Sequence, residues 1–262
     1  MEAQSQTDAA PAFPTVRAAT FEDIGAALAQ GWRDFLAAPL YGLAFGGVYA
    51  LGGMLIVATV AWFGKGYLAY PLAAGFVLIG PFIAAGLYEV SRRLESGQPL
   101  TWRGVLGVIF AQRRREFAWM AFVSIFAFMV WMYQVRLLLA LFLGFQSFTS
   151  FGAFLAVVFT TWDGWMFLAV GHVVGAAMAT LVFSLTVVSF PLLLDRDVDF
   201  ITAMIASVKA VTLSPAPMLA WALLIVALTA LSIATGFLGL FVALPVLGHA
   251  TWRLYRRIVA PA

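Results

Sequence analysis

The sequence has no cysteine, two histidines, and only 27 charged residues (fifteen Lys and Arg, twelve Asp and Glu) in 262. Without cysteine there is no disulfide, thiolate nucleophile, cysteine zinc site or iron–sulfur ligation. Charged residues make up 10% of the chain, against about 25% in an ordinary soluble domain, too few to clothe a core of this size in solvated side chains. A net charge of +3 gives no general basic field, so nucleic acid is not an expected partner. Residues 1–20 lack the apolar core of a signal peptide and carry Glu2, Asp8 and a single Arg17. They read as a retained, disordered cytoplasmic tail.

What is present is apolar: 63% hydrophobic residues with 24 Phe, 9 Trp and 23 Gly, and a mean hydropathy of +0.98. A helix needs about twenty apolar residues to cross about 30 Å of hydrocarbon. Stretches of that order recur here, far longer than barrel strands, which predicts an all-α, polytopic transmembrane bundle. One membrane domain over 21–259 carries six spans, near 40–63, 68–88, 117–140, 165–194, 218–232 and 235–252. The last two are short and joined by a tight turn around Ser232 to Gly236.

Orientation follows from the positive charges. Thirteen of the fifteen Lys and Arg fall in the N-terminal segment, the 89–116 and 195–216 connections and the C-terminus. The opposite side has Lys65, and Arg136 lies near the end of the third span. Both termini are therefore expected in the cytoplasm. An odd number of spans would export Arg253, Arg256 and Arg257, so six is favoured over five.

Three connectors have the spacing of helices lying at the interface: Ile24, Leu28, Gly31 and Phe35; Trp102, Val105, Leu106, Ile109 and Phe110; and Phe200, Met204, Val208 and Val211. Asp23, Asp34 and Arg33 are read as lying off the apolar face of the first. The pattern Asp23, Arg33, Pro39 returns with the same separations as Asp199, Lys209, Pro215. Pro81 precedes Arg92 and Arg93 as Pro245 precedes Arg256 and Arg257. This suggests three repeats of an interfacial helix followed by a two-helix hairpin.

The stretches GPFIAAGLYEVSRRLESG at 80–97, SFPLLLDRDVDFITAMIASVKA at 189–210 and LGHATWRLYRR at 247–257 resemble an uncharacterised bacterial family of predicted integral membrane proteins. The resemblance runs from about Phe21 to Val259 and implies a six-span protein of the cytoplasmic membrane with no established reaction, ligand or partner. Members are sometimes labelled cytochrome c oxidase subunit I. That label fails on chemistry, because haem and copper ligation of an oxidase core needs several imidazoles and this chain offers only His172 and His249. No cofactor and no metal site are expected.

Three sets of residues are candidates for function. His172, in mid-membrane beside Gly171, Gly175, Ala176 and Ala179, is read first as a neutral imidazole bonded to a neighbouring helix that the small residues let in close. A proton relay and haem ligation across a dimer are the sharper readings. Arg136 and Asp163 are candidates for an outer ion pair, with snorkelling of Arg136 as the alternative. The Phe-rich connector 146–161 reads as an outer cap or a re-entrant piece.

On the cytoplasmic face, Glu89, Arg92, Arg93, Asp195, Arg196, Asp197, Asp199 and His249 are candidates for a network: structural, an ion entrance or a contact for a soluble partner. The Asp-x-Asp spacing is a weak metal signal. No catalytic triad, phosphate loop or paired glycosidase carboxylate is persuasive. The expectation is an accessory or scaffold-like, non-enzymatic protein in contact with membrane lipids and with another membrane protein or a second copy of itself. The alternative is a small-solute or lipid transporter. An interior path lined by His172 and other polar groups would favour transport, and a sealed bundle the first reading.

Overall fold

The computed structural model describes residues 13–61, 69–112, 116–144 and 151–260, and they are helical almost throughout. The elements are α1 (Phe21–Ala37), α2 (Pro39–Ala61), α3 (Ala69–Ser96), α4 (Trp102–Gln112), α5 (Glu116–Leu143), α6 (Phe151–Thr160), α7 (Trp162–Thr186), α8 (Ser189–Asp195), α9 (Phe200–Leu213), α10 (Pro215–Ala234) and α11 (Leu240–Ile258). Four stretches are long and apolar enough to cross a membrane: Pro39–Thr59, Glu116–Leu143, Trp162–Asp195, which joins α7 to α8, and Pro215–Ala234. They coincide with the expected first, third, fourth and fifth spans.

Short helices lead into two of these through a shared device. The cap of α1, Ala38, has φ −137° and ψ 54°, and that of α9, Ser214, has φ −144° and ψ 63°. Each is followed by a proline. The ring forbids the preceding residue an α conformation yet has the φ that starts a helix, so the chain breaks and restarts in a new direction. At the other end of α1, Thr20 and Asp23 form a reciprocal capping box.

The packed core is concentrated at one end of the bundle, where α1, the C-terminal half of α3, the start of α5, α8, α9 and the C-terminal half of α11 meet. At its centre is α11, whose Val246, Leu247, Ala250, Trp252, Leu254 and Tyr255 are buried. Its neighbours come close because they present glycine. A Cβ on Gly31 of α1 would lie 2.6 Å from the Ala250 backbone nitrogen, one on Gly46 of α2 2.8 Å from the Leu240 carbonyl, and one on Gly248 itself 2.6 Å from Leu87 of α3. The region expected as the sixth span holds a turn over 235–239 and then α11, which is not among the four long apolar stretches. In that turn Phe237 holds φ 70°, its ring lying where a side chain on Gly53 of α2 would stand.

Several expectations need correcting. Residues 13–20 are ordered: Val16 bridges antiparallel to Val259, the Arg17 amide donates to the Ile258 carbonyl at 2.9 Å and the Ala260 amide to the Thr15 carbonyl at 3.0 Å. The backbone groups of both ends are satisfied by each other. Asp23 and Asp34 lie on the buried face of α1 with Ile24, Ala27 and Gly31, where partners described below neutralise them. In α9 the inward face is Ala203, Ala206, Ser207, Ala210 and Val211, and Ile201, Ile205 and Leu213 point outward. The small residues face in because α9 packs closely, Ser207 Oγ accepting the Val188 amide at 3.1 Å where the helix breaks between α7 and α8. In the Phe-rich connector, α6 leads directly into α7, and a Cβ on Gly164 would fall 2.4 Å from the Val157 and Val158 carbonyls. Gln146 and Phe148 lie outside the described residues.

The Gly31 contact gives a direct test. Gly31→Ala is expected to destabilise the protein by roughly 1–3 kcal/mol through overpacking against Ala250, whereas Gly25→Ala, with open space around it, should be neutral or stabilising by up to about 1 kcal/mol. Thermal unfolding of the two purified variants decides; equal midpoints would contradict the close packing of α1 on α11.

Candidate functional site

Two features remain once the fold is accounted for: the charged end of the bundle and a groove around His172. At the charged end, Asp34 of α1 is only 6% exposed and receives three hydrogen bonds. Arg253 of α11 donates through Nε at 2.8 Å and Nη2 at 2.8 Å, and Ser91 of α3 donates its hydroxyl at 2.8 Å. That leaves the Ser91 oxygen to accept from Nδ1 of His249, 2.8 Å away, which fixes the neutral tautomer with its proton on Nδ1. His249 is fully buried. Asp34, Ser91 and His249 thus form a chain across α1, α3 and α11, with serine in the middle and no solvent access for a substrate.

The ion pairs continue outward from Arg253. Glu95 accepts from Trp252 Nε1 at 3.1 Å and from Arg256 Nε at 3.1 Å, and lies 3.4 Å from Arg253. Asp195 accepts the Tyr255 hydroxyl at 2.6 Å and Arg256 Nη1 at 3.2 Å. Burial, reinforced by Asp195, pushes the Tyr255 phenol up and keeps it a donor. Glu89, with no exposed surface, is held by Arg92 and Arg93 at 2.7 Å each, and the Arg93 guanidinium lies over Gly104 of α4. At the chain ends Arg17 bonds both oxygens of Asp23 at 2.7 and 2.8 Å and the Arg257 carbonyl at 2.9 Å.

Of the residues expected in this network, Glu89, Arg92, Arg93, Asp195 and His249 are central to it. Arg196 bonds the Ala260 carbonyl and lies 3.9 Å from Asp195. Asp197 is exposed in the turn before α9. Asp199 is a helix cap, accepting the Thr202 amide at 2.9 Å and hydroxyl at 2.6 Å. Those bonds lower its carboxyl below the usual value, and its role is to start α9. Glu116 performs the same service from outside, accepting the Phe200 amide at 3.0 Å. Asp34, Ser91, Glu95, Arg253 and Tyr255 were not legible as members. The available signal was Asp34 itself, an acid three residues beyond Gly31 on the apolar stripe of α1.

At the other end of the protein the expectations fail. Arg136 and Asp163 are both exposed and no ion pair joins them among the described residues. Asp163 instead occupies the first turn of α7 behind the Thr161 cap, where the helix dipole favours an anion. His172 does not bond to a neighbouring helix: its Nδ1 reaches the Leu168 carbonyl of its own helix at 2.6 Å. Since a carbonyl only accepts, Nδ1 carries a proton, and in the neutral ring Nε2 is then the acceptor. The ring lines a groove of about 940 Å³ between α5, α7 and α10, walled by Trp131, Phe167, Phe183, Leu219 and Val226 among others. Gly175 touches Trp131, but a Cβ on Gly171 would meet nothing within 4 Å. The small residues beside His172 make space there more than they make contact.

Two outcomes are expected at the charged end. Arg253→Gln strands the Asp34 carboxylate and should cost roughly 3–5 kcal/mol of unfolding free energy, part of which Asp34→Asn recovers in the double variant; denaturant titration of the four proteins reads it. The Asp23 carboxyl is held down at about 2, first by its bonds to Arg17 and then by Thr20, against the effect of burial. Its folded value lies below the ordinary one of about 3.9, so its contribution is complete above pH 4 and is lost as pH falls towards 2. Wild type should lose stability more steeply over that interval than Asp23→Asn; parallel acid limbs would contradict the pairing.

Neither a curated protein nor a solved structure gives a match. Residues 68–195, which hold Glu89, Arg92, Arg93, Asp195 and His172, match the family model described as Predicted integral membrane protein (DUF2189), a family of unknown function.

Proposed function

We propose that the protein is a non-enzymatic, accessory component of the bacterial cytoplasmic membrane, crossing it six times with both termini in the cytoplasm. The observation that carries this reading is the closed charged end, where Asp34, Glu95 and Asp195, on α1, α3 and α8, are each met by an arginine of α11 and the buried Glu89 by Arg92 and Arg93 of its own helix. Groups satisfied by each other are spent on holding helices together. An ion entrance or a catalytic centre would keep some of them open to a ligand. Apart from the Trp131 indole, the described lining of the groove offers only His172, Thr180 and Thr186 as polar side chains, too few to replace the hydration of a polar solute along a path.

Support for six crossings comes from element order. A short helix precedes a long pair three times, as α1 with α2 and α3, α4 with α5 and α7, and α9 with α10 and α11, the third unit repeating the proline-led restart of the first. With this arrangement the segments rich in Arg and Lys share one side, and the positive-inside rule makes that side cytoplasmic.

The functional reading is tested in vesicles reconstituted with pure protein and loaded with a pH-sensitive dye. No proton uptake coupled to sugars, amino acids or ions is expected above protein-free vesicles. Reproducible flux lost in both His172→Gln and His172→Leu at unchanged thermal stability would overturn it in favour of transport. Single cysteines, introduced into this cysteine-free chain at Gly66 and Gln98 and exposed to an impermeant reagent in intact cells, test the orientation: labelling at Gly66 alone is expected, and labelling at Gln98 reverses it.

A further inference from the structure

The groove beside His172 has a chemistry of its own. Trp162, Asp163 and Trp165 at the start of α7 mark a membrane boundary, indoles being favoured at the headgroup level. His172 lies ten residues beyond Trp162, about 15 Å along the helix, which is near the middle of a hydrocarbon layer about 30 Å thick. Its Nδ1 is engaged by Leu168, and the described residues give Nε2 no partner. An unpaired acceptor at that depth is costly, because neither water nor a phospholipid headgroup reaches it. The space next to it has room for a ring: Gly171 leaves it open and the indole of Trp131 lies against Gly175 one turn further on, while Phe167 and Phe183 line the groove further along α7 in either direction.

We infer that the groove between α5, α7 and α10 binds a flat, hydroxylated ring carried on an aliphatic tail, of the quinol type, whose hydroxyl donates a hydrogen bond to His172 Nε2. The donor requirement selects the occupant. A phospholipid acyl chain or a helix of a second copy made of apolar residues fills the volume but brings no donor to that depth. An oxidised ring offers only carbonyl acceptors, which face the Nε2 lone pair unfavourably, so the site discriminates between the two redox forms by binding alone. The inference does not depend on the accessory role, since it assigns no transport and no electron transfer.

Because the chain has only two histidines, the imidazole nitrogens can be observed singly. Full-length protein labelled with nitrogen-15 histidine is reconstituted in lipid vesicles and titrated with 2-decyl-1,4-hydroquinone or its dimethyl ether, which keeps the shape but has no donor. Solid-state NMR then follows Nε2, with His172→Gln providing the assignment. The hydroquinone should shift the His172 Nε2 resonance saturably and leave His249 unmoved, and the ether should bind more weakly by on the order of five- to tenfold, the worth of one hydrogen bond. Ala179→Phe, which fills the groove, should abolish the shift with no change in the unfolding midpoint; if that variant melts early, Ala176→Leu replaces it. Equal shifts from the two compounds, or a shift that survives groove filling in a stably folded variant, would overturn the assignment. So would no response to the hydroquinone at all, the result expected of a groove occupied only by acyl chains or a second copy.

Discussion

The bond between Arg253 and Asp34 is the interaction on which the rest of the charged end depends. Neither group could be buried alone, since an unpaired ion in a poorly solvated site costs several kcal/mol. Together they form a two-pronged pair that ties α1 to α11. Ser91 and His249 are then oriented by the remaining capacity of Asp34, and Glu95 by the outer edge of the Arg253 guanidinium. Breaking the pair would leave the buried Asp34 with Ser91 as its remaining donor and would take from Glu95 one of its three partners.

The close helix contacts are the apolar counterpart of that pair. Gly31, Gly46 and Gly248 bring three helices against α11 at distances that a methyl group would forbid. At this depth there is little hydrophobic gain in associating apolar helices, so packing and hydrogen bonding must hold them. Both are concentrated at the charged end. Away from it, α5 is largely uncovered and packs on α7, while α10 barely touches α7, leaving the groove. A rigid end and an open end are thus two results of one allocation of small and polar residues.

Composition and charge placement revealed much of this. Helical architecture, most of the long apolar stretches, and the gathering of four basic segments at one end follow from hydropathy and the positive-inside rule, which act on averages over many residues. What stayed hidden depends on pairings between distant segments. Asp34 and Asp23 look like solvent-facing charges until Arg253 and Arg17 are brought to them, and the spacing of an apolar stripe does not reveal that an acid belongs to it. Residues 13–20 have no periodicity to read, because their order comes from hydrogen bonds that Arg17 and Thr15 make with the distant Ile258 and Ala260. His172 stands out in the sequence as an ionisable residue within an apolar stretch, but the small residues around it have the pattern of contact residues, and Gly171 makes no such contact. Gly171 and Gly175 share a spacing, and only the path of α5 decides which of them is covered.

The central position of α11 also bears on how the protein is made. It leaves the ribosome long after α1, α2 and α3, yet these find their glycine contacts, the partner of the buried Asp34 carboxylate and the backbone partners of residues 15–17 on it or on the residues just after it. These three helices must therefore wait, with charges unmatched and small-residue faces open, until α11 has been made. Domains completed N-terminal first during translation escape this interval. Here the interval is imposed by topology, and premature termination anywhere before Arg253 would release a chain whose first helices had never acquired their partners.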